Sequence, residues 1–389
     1  MKRLTLYLLA LGAFLTGGAE LVVGGILNVI AEDLNLSVGL AGQLITAYSV
    51  AFAIGTPVII SLTSRLPRKQ ILTAALAVFI AGCLASYVSS GLGLLIFSRI
   101  VLGMSAGVFL VAAISSIAKL VPAEETGRAI SLIALGFGSA MALGVPLGIA
   151  ITEWRGWQTI FAVLGLLSIL VLLGLLRLLP EIEGDAPAGF KEQFAVLRHP
   201  VIVTGLLVTF FLNMSNSIVL TYLTPLLQSV LHLTTAEVGL TMLALGFIGI
   251  LGSRAGGIGV DRWGSVRMIA ATLMLSFLSL SLVPMLVAPV WAALALIMLW
   301  IASTFMNAPP LQMYFIQQAP HASNLVLGMN TSVIHLGLAL GAGLGGAAAN
   351  TAGTVLYHPW MAGGGMLLAL LSALASFAVV RRRETGTAA

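Results

Sequence analysis

Glu20 is the residue best suited to chemistry in this sequence, because it is the only acidic side chain in the apolar stretch 4–30. A charged side chain at the centre of a bilayer costs about 2.5–3.5 kcal/mol on insertion scales, so such a residue faces protein or water and is a functional candidate. Thr16, Glu20, Gly24 and Asn28 recur every four residues and form one polar stripe of a helix. In a cavity that opens alternately, a carboxyl can bind and release a proton, because burial favours its neutral form and a nearby cation its charged form. The alternative is a carboxyl kept neutral by hydrogen bonds in a structural role.

Arg99 and His335 are two further candidates for coupling to the proton. Arg99 shares a helical stripe with Gly103 and Gly107, stays charged in proteins and must be compensated at membrane depth. We expect its field, with or without a direct or water-bridged contact, to tune Glu20. The alternative is that Arg99 bonds backbone carbonyls or hydroxyls of other helices and only stabilises the fold. His335 is either a second titratable site or a neutral histidine with satisfied hydrogen bonds.

Uncharged polar residues in the other apolar stretches are candidates for lining a substrate cavity. Amides and a phenol can recognise a neutral, flat, hydrogen-bonding ligand such as a nucleobase, and aromatic rings also accept lipophilic drugs. Each of these residues taken alone also fits a hydrogen bond between helices. The candidates are Gln43, Tyr48, Asn213, Asn216, Tyr222, Asn307, Gln312, Tyr314 and Asn330.

Composition places these residues in a membrane. The chain is 59% hydrophobic and 8% charged, with a mean hydropathy of +1.09, whereas soluble domains carry about 25% charged residues. The single cysteine, Cys83, excludes a disulfide framework and a cysteine-based metal site. We expect no metal and no cofactor beyond a coupling proton. The cations form short clusters rather than one continuous face, so we expect no nucleic-acid partner.

The chain is predicted to be an all-α membrane protein with 12 transmembrane helices. With both termini cytoplasmic, the loop cations lie inside except Arg155, as the positive-inside rule requires. The first segment begins like a signal peptide but continues without a convincing cleavage site, so it is interpreted as the first span. The predicted spans, each long enough for about 20 helical residues, are 4–30, 38–62, 69–89, 93–119, 127–151, 157–179, 200–228, 236–259, 266–288, 290–317, 323–350 and 359–380.

Two six-helix bundles related as direct repeats are predicted at 1–179 and 200–389. An offset of 197 residues maps Arg65 onto Arg262, and Gly144 onto Gly341; a chance match of apolar segments is the weaker alternative. Direct repeats predict a substrate site at the bundle interface and alternating access by rocking. The polar linker, 180–199, is predicted to hold a short helix on the cytoplasmic interface, and a regulatory docking helix is the alternative.

Glycines at spacing four mark the fifth span. Gly136, Ala140, Gly144 and Gly148 form a smooth stripe that lets a neighbouring backbone approach, and Pro146 removes a backbone donor and bends the helix. Such stripes are mostly packing devices; here we expect the stripe to join the two bundles.

This stretch, with its Gly-Val-Pro-Leu-Gly core at 144–148, resembles the antiporter motif of the major facilitator superfamily, specifically of its twelve-span drug:proton antiporters. The resemblance covers essentially the whole chain. The Arg99 stretch resembles the family's membrane arginine motif, which implies a part in proton coupling. Glu20-Leu-Val-Val-Gly-Gly and Ala41-Gly42-Gln43 are similar to the branch of purine-base efflux pumps and arabinose-efflux-like permeases, although branches that share such stretches differ in substrate.

Two cytoplasmic loops carry a further family signature. Asp261-Arg262-Trp263-Gly264 resembles the loop motif between spans eight and nine. In the corresponding first-half loop Arg65, Arg68 and Lys69 remain, but Ser64 and Pro67 stand where the family has Asp and Gly. This departure argues against a full cytoplasmic charge lock in the first half.

The resemblance implies a proton-driven exporter of small organic molecules or drugs, acting as a monomer in a bacterial inner membrane. The alternative is a purine nucleobase, nucleoside or sugar efflux permease, or a uniporter. An enzyme is not expected, because the spans contain no His-Glu-x-x-His motif and no Gly-x-Ser-x-Gly elbow, and the chain contains no P-loop. A non-transporting scaffold or receptor is the remaining class.

Overall fold

Helices account for the regular structure of this protein. The computed structural model describes residues 2–184 and 199–386, and within these residues twelve helices are long and apolar enough to cross a membrane. A helix satisfies its backbone groups internally, which a bilayer core demands. The helices are α1 (Lys2–Gly25), α2 (Val38–Ala41 and Gln43–Thr63, meeting at Gly42), α3 (Arg68–Tyr87), α4 (Leu92–Leu120), α5 (Ala123–Ser139, the π-helical turn Ala140–Gly144 and Val145–Arg155), α6 (Gln158–Leu178), α7 (Pro200–Leu220), α8 (Thr235–Trp263), α9 (Ser265–Leu282), α10 (Val290–Gln318), α11 (Ser323–Ala352) and α12 (His358–Gly386).

The prediction of twelve transmembrane helices is confirmed; besides the break of α2 at Gly42, two of the predicted spans are broken before their predicted C-terminal ends. The span predicted at 4–30 ends at Gly25, and a short helix, Leu27–Asp33, follows Ile26. The span predicted at 200–228 ends at Leu220, and short helical pieces continue to Val230. Pro225 explains the second break, because its ring clashes with the carbonyl four residues earlier and cannot continue a helix.

The chain folds into two compact units. The first consists of Met1–Ala188 with Thr235–Leu243, and the second of Gly189–Thr234 with Ala244–Ala389. The bundle boundaries at 179 and 200 remain predictions. The linker helix predicted from Phe190, Phe194 and Leu197 lies outside the described residues.

Helix packing repeats between the units. In the first unit α1 packs against α5 and α6, α2 against α4, and α3 against α4 and α6. In the second unit α7 packs against α11 and α12, and α9 against α10 and α12. Gly252 and Gly256 of α8 pack against the backbone of α10 at Ala302 and Met306, which completes the correspondence with α2 and α4. Each pair recurs six helices later, in agreement with the direct repeat in the sequence.

The glycine stripe of α5 contacts α1 within its own unit. A Cβ at Gly136 would overlap the backbone oxygen of Ala10, and one at Gly148 would overlap the side chain of Val22. In the second unit, a Cβ at Gly341 would overlap the backbone oxygen of Met214 on α7. We expected these stripes to join the two bundles. The glycines named here instead contact α1 and α7 of their own units, so that expectation was wrong about the partner helix. Small residues permit close approach to any neighbouring backbone, and the spacing alone did not say which.

The irregular turn of α5 precedes Pro146. Residues Ala140–Gly144 form a π-helical turn, and α-helix resumes at Val145. Proline has no backbone N–H to donate, and its ring crowds the preceding turn. The wider π-helical turn makes room for the ring where the hydrogen bond is missing. A Cβ added at Gly144 would lie 3.7 Å from the Cα of Gly18 on α1, which is ordinary van der Waals contact.

Candidate functional site

The guanidinium of Arg99 is buried in the interior of the first unit. Its side chain has no exposed surface, and Nη2 donates a 2.8 Å hydrogen bond to the backbone oxygen of Ala19, the residue before Glu20. Its carbon Cζ lies 4.8 Å from the ring centroid of Tyr48 and 5.9 Å from that of Phe161. The arginine of α4 is thus held by α1, α2 and α6.

Glu20 shares this interior with Arg99. It is 8% exposed, and it directly follows Ala19, whose backbone oxygen accepts the hydrogen bond from Arg99. Nε and Nη1 of Arg99 have no hydrogen-bond partner among the described residues. The bond to Ala19 is of the kind expected if Arg99 only stabilises the fold by bonding backbone carbonyls. The position of Glu20, next to Ala19 in the sequence, is what the hypothesis that Arg99 tunes Glu20 requires. This arrangement places an acid and a permanent cation together in an apolar bundle, where a change of protonation has a large electrostatic effect.

Tyr48 supports Arg99 and is fully buried. Its hydroxyl donates to the backbone oxygen of Thr16 at 3.4 Å, one helical turn before Glu20. We predicted that Tyr48 lines a substrate cavity, and this stays a prediction. The guanidinium of Arg99 lies over its ring, a contact that is strong where water is excluded.

A cavity of about 240 Å³ lies within the second unit, between α7, α10 and α11. Four of the predicted substrate residues line it. Its polar wall also includes three residues that the sequence reasoning missed, and its remaining lining is apolar. The four predicted residues are Asn213, Asn216, Gln312 and Asn330, and the three missed are Thr209, Trp300 and Thr304.

The spacing along the helices could have revealed the missed residues. Thr209, Asn213 and Asn216 lie at i, i+4 and i+7 of α7, and Trp300 and Thr304 lie at i and i+4 of α10. Such spacing places side chains on one helix face. The sequence does not show that these two faces meet, because that depends on how each helix is rotated.

Two amides of this cavity have orientations that their neighbours determine. Oδ1 of Asn216 accepts hydrogen bonds from Trp300 Nε1 at 3.0 Å and from Thr304 Oγ1 at 3.1 Å. Nδ2 of Asn213 donates to the backbone oxygen of Thr209 at 2.8 Å. An indole N–H can only donate and a carbonyl can only accept, so each amide is held in one of its two orientations.

The other predicted cavity residues lie elsewhere. The hydroxyl of Tyr222 donates to the backbone oxygen of Ala342 at 2.9 Å, and that of Tyr314 shares a 2.7 Å hydrogen bond with Ser376. Both are the interhelical bonds of the structural alternative.

Asn307 and Gln43 also lie outside the second-unit cavity. Asn307 of α10 is 1% exposed, and neither polar atom of its amide has a hydrogen-bond partner among the described residues. Nε2 of Gln43 donates to the backbone oxygen of Gly39, in the same transmembrane segment, at 3.5 Å.

His335 lies on α11 of the second unit and is 5% exposed. Its Nδ1 lies 3.0 Å from the backbone oxygen of Thr331. Since that carbonyl can only accept, Nδ1 carries a hydrogen. This bond accounts for Nδ1 alone, so both alternatives for His335 stay predictions.

The first-half loop binds the segment that follows α6. Arg68 is 4% exposed and donates its backbone N–H to Ile182 at 2.8 Å, and Lys69 lies 3.7 Å from the carboxylate of Glu181. Arg65 is exposed. Glu181 therefore pairs with Lys69 of the first-half loop. In this loop Ser64 stands where the loop signature has an aspartate.

The second-half loop ends α8. Asp261 and Arg262 are exposed in its last turn, and Gly264 has φ +79°, a backbone conformation that favours glycine. The glycine of the loop motif is therefore explained by the turn between α8 and α9.

Comparisons with known proteins agree with this fold. The chain is similar to two solved structures: a D-xylose-proton symporter, with a TM-score of 0.78, 18% identity and 97% of each chain covered, and a bacterial homologue of the human lysosomal transporter Spinster, with a TM-score of 0.73 and 14% identity over 96% of this chain and 95% of that one. At these identities the likeness shows the fold alone.

Sequence relatives span nearly the full length. The chain is 31% identical to the MFS-type transporter YbcL of Bacillus subtilis over 96% of this chain and 95% of that protein. It is also 31% identical to the inner membrane transport protein YdhP of Escherichia coli K12, over 94% of this chain and 95% of that protein. The family model described as Major Facilitator Superfamily matches residues 9–342. With twelve helices, two repeated units and this match, the chain belongs to the Major Facilitator Superfamily and is a membrane transporter rather than an enzyme.

Proposed function

We propose that this transporter exports small organic molecules in exchange for protons, by alternating access and as a monomer. The observation that carries the proposal is the burial of Glu20 in the first unit, directly after Ala19, whose backbone oxygen accepts a hydrogen bond from the buried Arg99. An acid whose charge depends on access to water and on a fixed cation can take up a proton from one side and release it to the other. The resemblance of the α5 stretch to the antiporter motif supports export and exchange.

The membrane and its orientation are part of the proposal. We propose a bacterial inner membrane with both termini cytoplasmic, because the loop cations then lie almost entirely on the cytoplasmic side. The bacterial relatives support this assignment.

A second candidate function is a permease for nucleobases, nucleosides or sugars, working with protons or as a uniporter. The uncharged amides of the second-unit cavity favour this candidate, because a neutral polar solute needs hydrogen bonds rather than a counter-charge. The D-xylose-proton symporter with the same fold moves a sugar with a proton, so the fold itself is compatible with either direction of coupling.

Proton release from everted vesicles tests the main proposal. Vesicles with an acidic interior are mixed in turn with a nucleobase, a pentose and a lipophilic cation while the interior pH is followed. We expect one class of compound to release protons, and we expect Glu20→Gln to abolish the release while leaving folding intact. Glu32→Gln is the matched control, because it makes the same change at an exposed acid in the short helix that follows α1.

Movement of a labelled compound without any response of the gradient would identify a uniporter or another coupling ion. An unchanged response in Glu20→Gln would remove Glu20 from the coupling mechanism. A protein that moves no compound, with or without a gradient, would favour a scaffold or receptor.

A further inference from the structure

A cavity of about 390 Å³ lies in the first unit, where α1 and α5 begin, and all described residues that line it belong to these two helices. As the first and fifth of the membrane-crossing helices, α1 and α5 run in the same direction, so their first turns lie at the same membrane surface. The candidate spans begin at Arg3 and at Glu125, and both residues line the cavity. The cavity therefore lies at the level of the lipid headgroups.

The end of the cavity nearest the membrane surface carries a positive charge. Two arginines, Arg3 and Arg128, and one acid, Glu125, line it, which gives its described lining a net charge of +1. All three side chains are exposed. A guanidinium can bind two phosphate oxygens at once through its planar set of N–H donors. Basic pockets between transmembrane helices bind the headgroups of anionic lipids.

The lining becomes apolar with depth in the membrane. On α1, Tyr7 lies one turn after Arg3 and is 61% exposed. On α5, Leu132 and Leu135 lie one and two turns after Arg128, and both line the cavity. Tyrosine is enriched at the membrane interface, because its ring is apolar and its hydroxyl can bond water. The order of arginine, phenol and leucine follows the order of phosphate, glycerol ester and acyl chain in a phospholipid.

We propose that this cavity binds an anionic phospholipid, whose phosphate accepts hydrogen bonds from Arg3 and Arg128. Its acyl chains begin against Leu132 and Leu135. A lipid with one negative charge matches the net charge of the lining, whereas a zwitterionic lipid has no net charge to neutralise it. Free phosphate would bond the arginines but leave the leucines without an apolar partner. The inference goes beyond the proposed function, because the site shares no residue with the proposed coupling residues or with the second-unit cavity.

Removal of the two arginines tests the assignment. We expect Arg3→Gln and Arg128→Gln each to weaken the binding of phosphatidylglycerol about fivefold, and the double variant about 25-fold, from the attraction of each cation to an anionic lipid. Glu125→Gln removes the charge that repels the phosphate, so it should tighten the binding.

Arg177→Gln is the matched control, because it removes the same charge at the same membrane surface. Arg177 is exposed in the last turn of α6, outside the cavity. The hydroxyl of Thr5 on α1 donates to the backbone oxygen of Leu178 at 3.4 Å, so the end of α6 lies beside the start of α1. We expect this variant to change the affinity for phosphatidylglycerol less than about twofold, because Arg177 does not line the site.

Binding is measured by native mass spectrometry on the purified full chain in detergent, titrated with phosphatidylglycerol and, separately, with zwitterionic phosphatidylethanolamine. We expect phosphatidylglycerol to bind at least about fivefold more tightly than phosphatidylethanolamine. Thermal unfolding is followed in parallel. Phosphatidylglycerol should raise the melting temperature, because a ligand that binds only the folded state stabilises it, whereas inorganic phosphate at millimolar concentration should not.

Four outcomes would overturn the inference: equal binding of the two lipids, an unchanged affinity for phosphatidylglycerol in the folded double variant, an equal loss in Arg177→Gln, or equal stabilisation by inorganic phosphate, which would indicate a site for a free anion. The comparison of the two lipids uses the unaltered chain, so it decides the inference even if the double variant does not fold. None of these measurements depends on proton coupling, so the proposed function is tested separately.

Discussion

Tyr48 gives the sharpest test of how the first unit holds Arg99. The guanidinium lies 4.8 Å from the ring centroid, and neither side chain has exposed surface. A desolvated cation–π contact contributes about 2 kcal/mol or more. The hydroxyl is less important: its bond to Thr16 is 3.4 Å long, and a typical net hydrogen bond contributes about 0.5–1.5 kcal/mol. The ring, rather than the hydroxyl, is therefore the group that positions the arginine.

Two substitutions separate these contributions. Tyr48→Phe keeps the ring and should lower the free energy of unfolding by at most about 1 kcal/mol, with proton-coupled transport retained. Tyr48→Leu removes the ring. It should lower the free energy of unfolding by about 2 kcal/mol more than the removal of a buried ring that does not contact Arg99. Phe79→Leu is that control, because Phe79 is also fully buried in the first unit.

Unfolding in detergent and proton release from vesicles measure the two effects. A difference of about 2 kcal/mol corresponds to roughly thirtyfold in the ratio of molecules with Arg99 correctly placed to molecules with Arg99 displaced. We therefore expect Tyr48→Leu to lose most coupled transport, whereas Phe79→Leu loses only stability. Equal losses of stability in Tyr48→Leu and Phe79→Leu, together with full coupled transport in Tyr48→Leu, would refute the reasoning.

Three further predictions concern other contacts. Gly136→Ala should lower the free energy of unfolding by about 1–3 kcal/mol, because the new Cβ overlaps the backbone of α1. Gly138→Ala places its Cβ in open space and should stabilise the helix by about 0.5–1 kcal/mol. Thermal unfolding of both variants checks this contrast, and equal unfolding midpoints would contradict it. Arg99→Lys should abolish coupled transport in the vesicle assay without unfolding the protein, because a compact ammonium does not replace the planar guanidinium that lies over the Tyr48 ring and bonds Ala19. Full coupling in this variant would remove the tuning role. Glu181→Gln should lower the free energy of unfolding by less than about 1 kcal/mol, because the carboxylate beside Lys69 is 71% exposed. The melting temperatures of both proteins, measured at several salt concentrations, check this. A larger loss would mean that this ion pair holds the segment after α6 in place.

The prediction from sequence was accurate for the helices and less so for their contacts. Most of the predicted spans agree with the structure to within a few residues, because about 20 apolar residues are needed to cross a bilayer. The breaks after Gly25 and Leu220 were missed, since both lie within segments that remain apolar. Hydropathy does not report the backbone hydrogen bonds that glycine pairs and prolines interrupt.

Among the candidate site residues, the sequence identified types but not neighbours. Asn213, Asn216 and Asn330 were predicted to line a substrate cavity; they line a cavity in the second unit, and its binding of substrate stays a prediction. Tyr48 was assigned to the same group, but it stacks on Arg99 in the first. In the sequence, a tyrosine packed against other side chains and a tyrosine that lines a cavity both occur as single polar residues within an apolar span. Only the packing of the helices distinguishes the two cases.

The sequence by itself determined that this is a twelve-helix membrane transporter built from a repeat, and that Glu20 and Arg99 lie within the membrane. These conclusions depend on the bilayer as a solvent, which acts on each segment separately. The tertiary structure decided that Arg99 bonds the residue before Glu20, that the α5 glycines face α1, and that the amides of three helices meet in one cavity. Those contacts depend on the rotation and neighbours of each helix, which no single segment specifies.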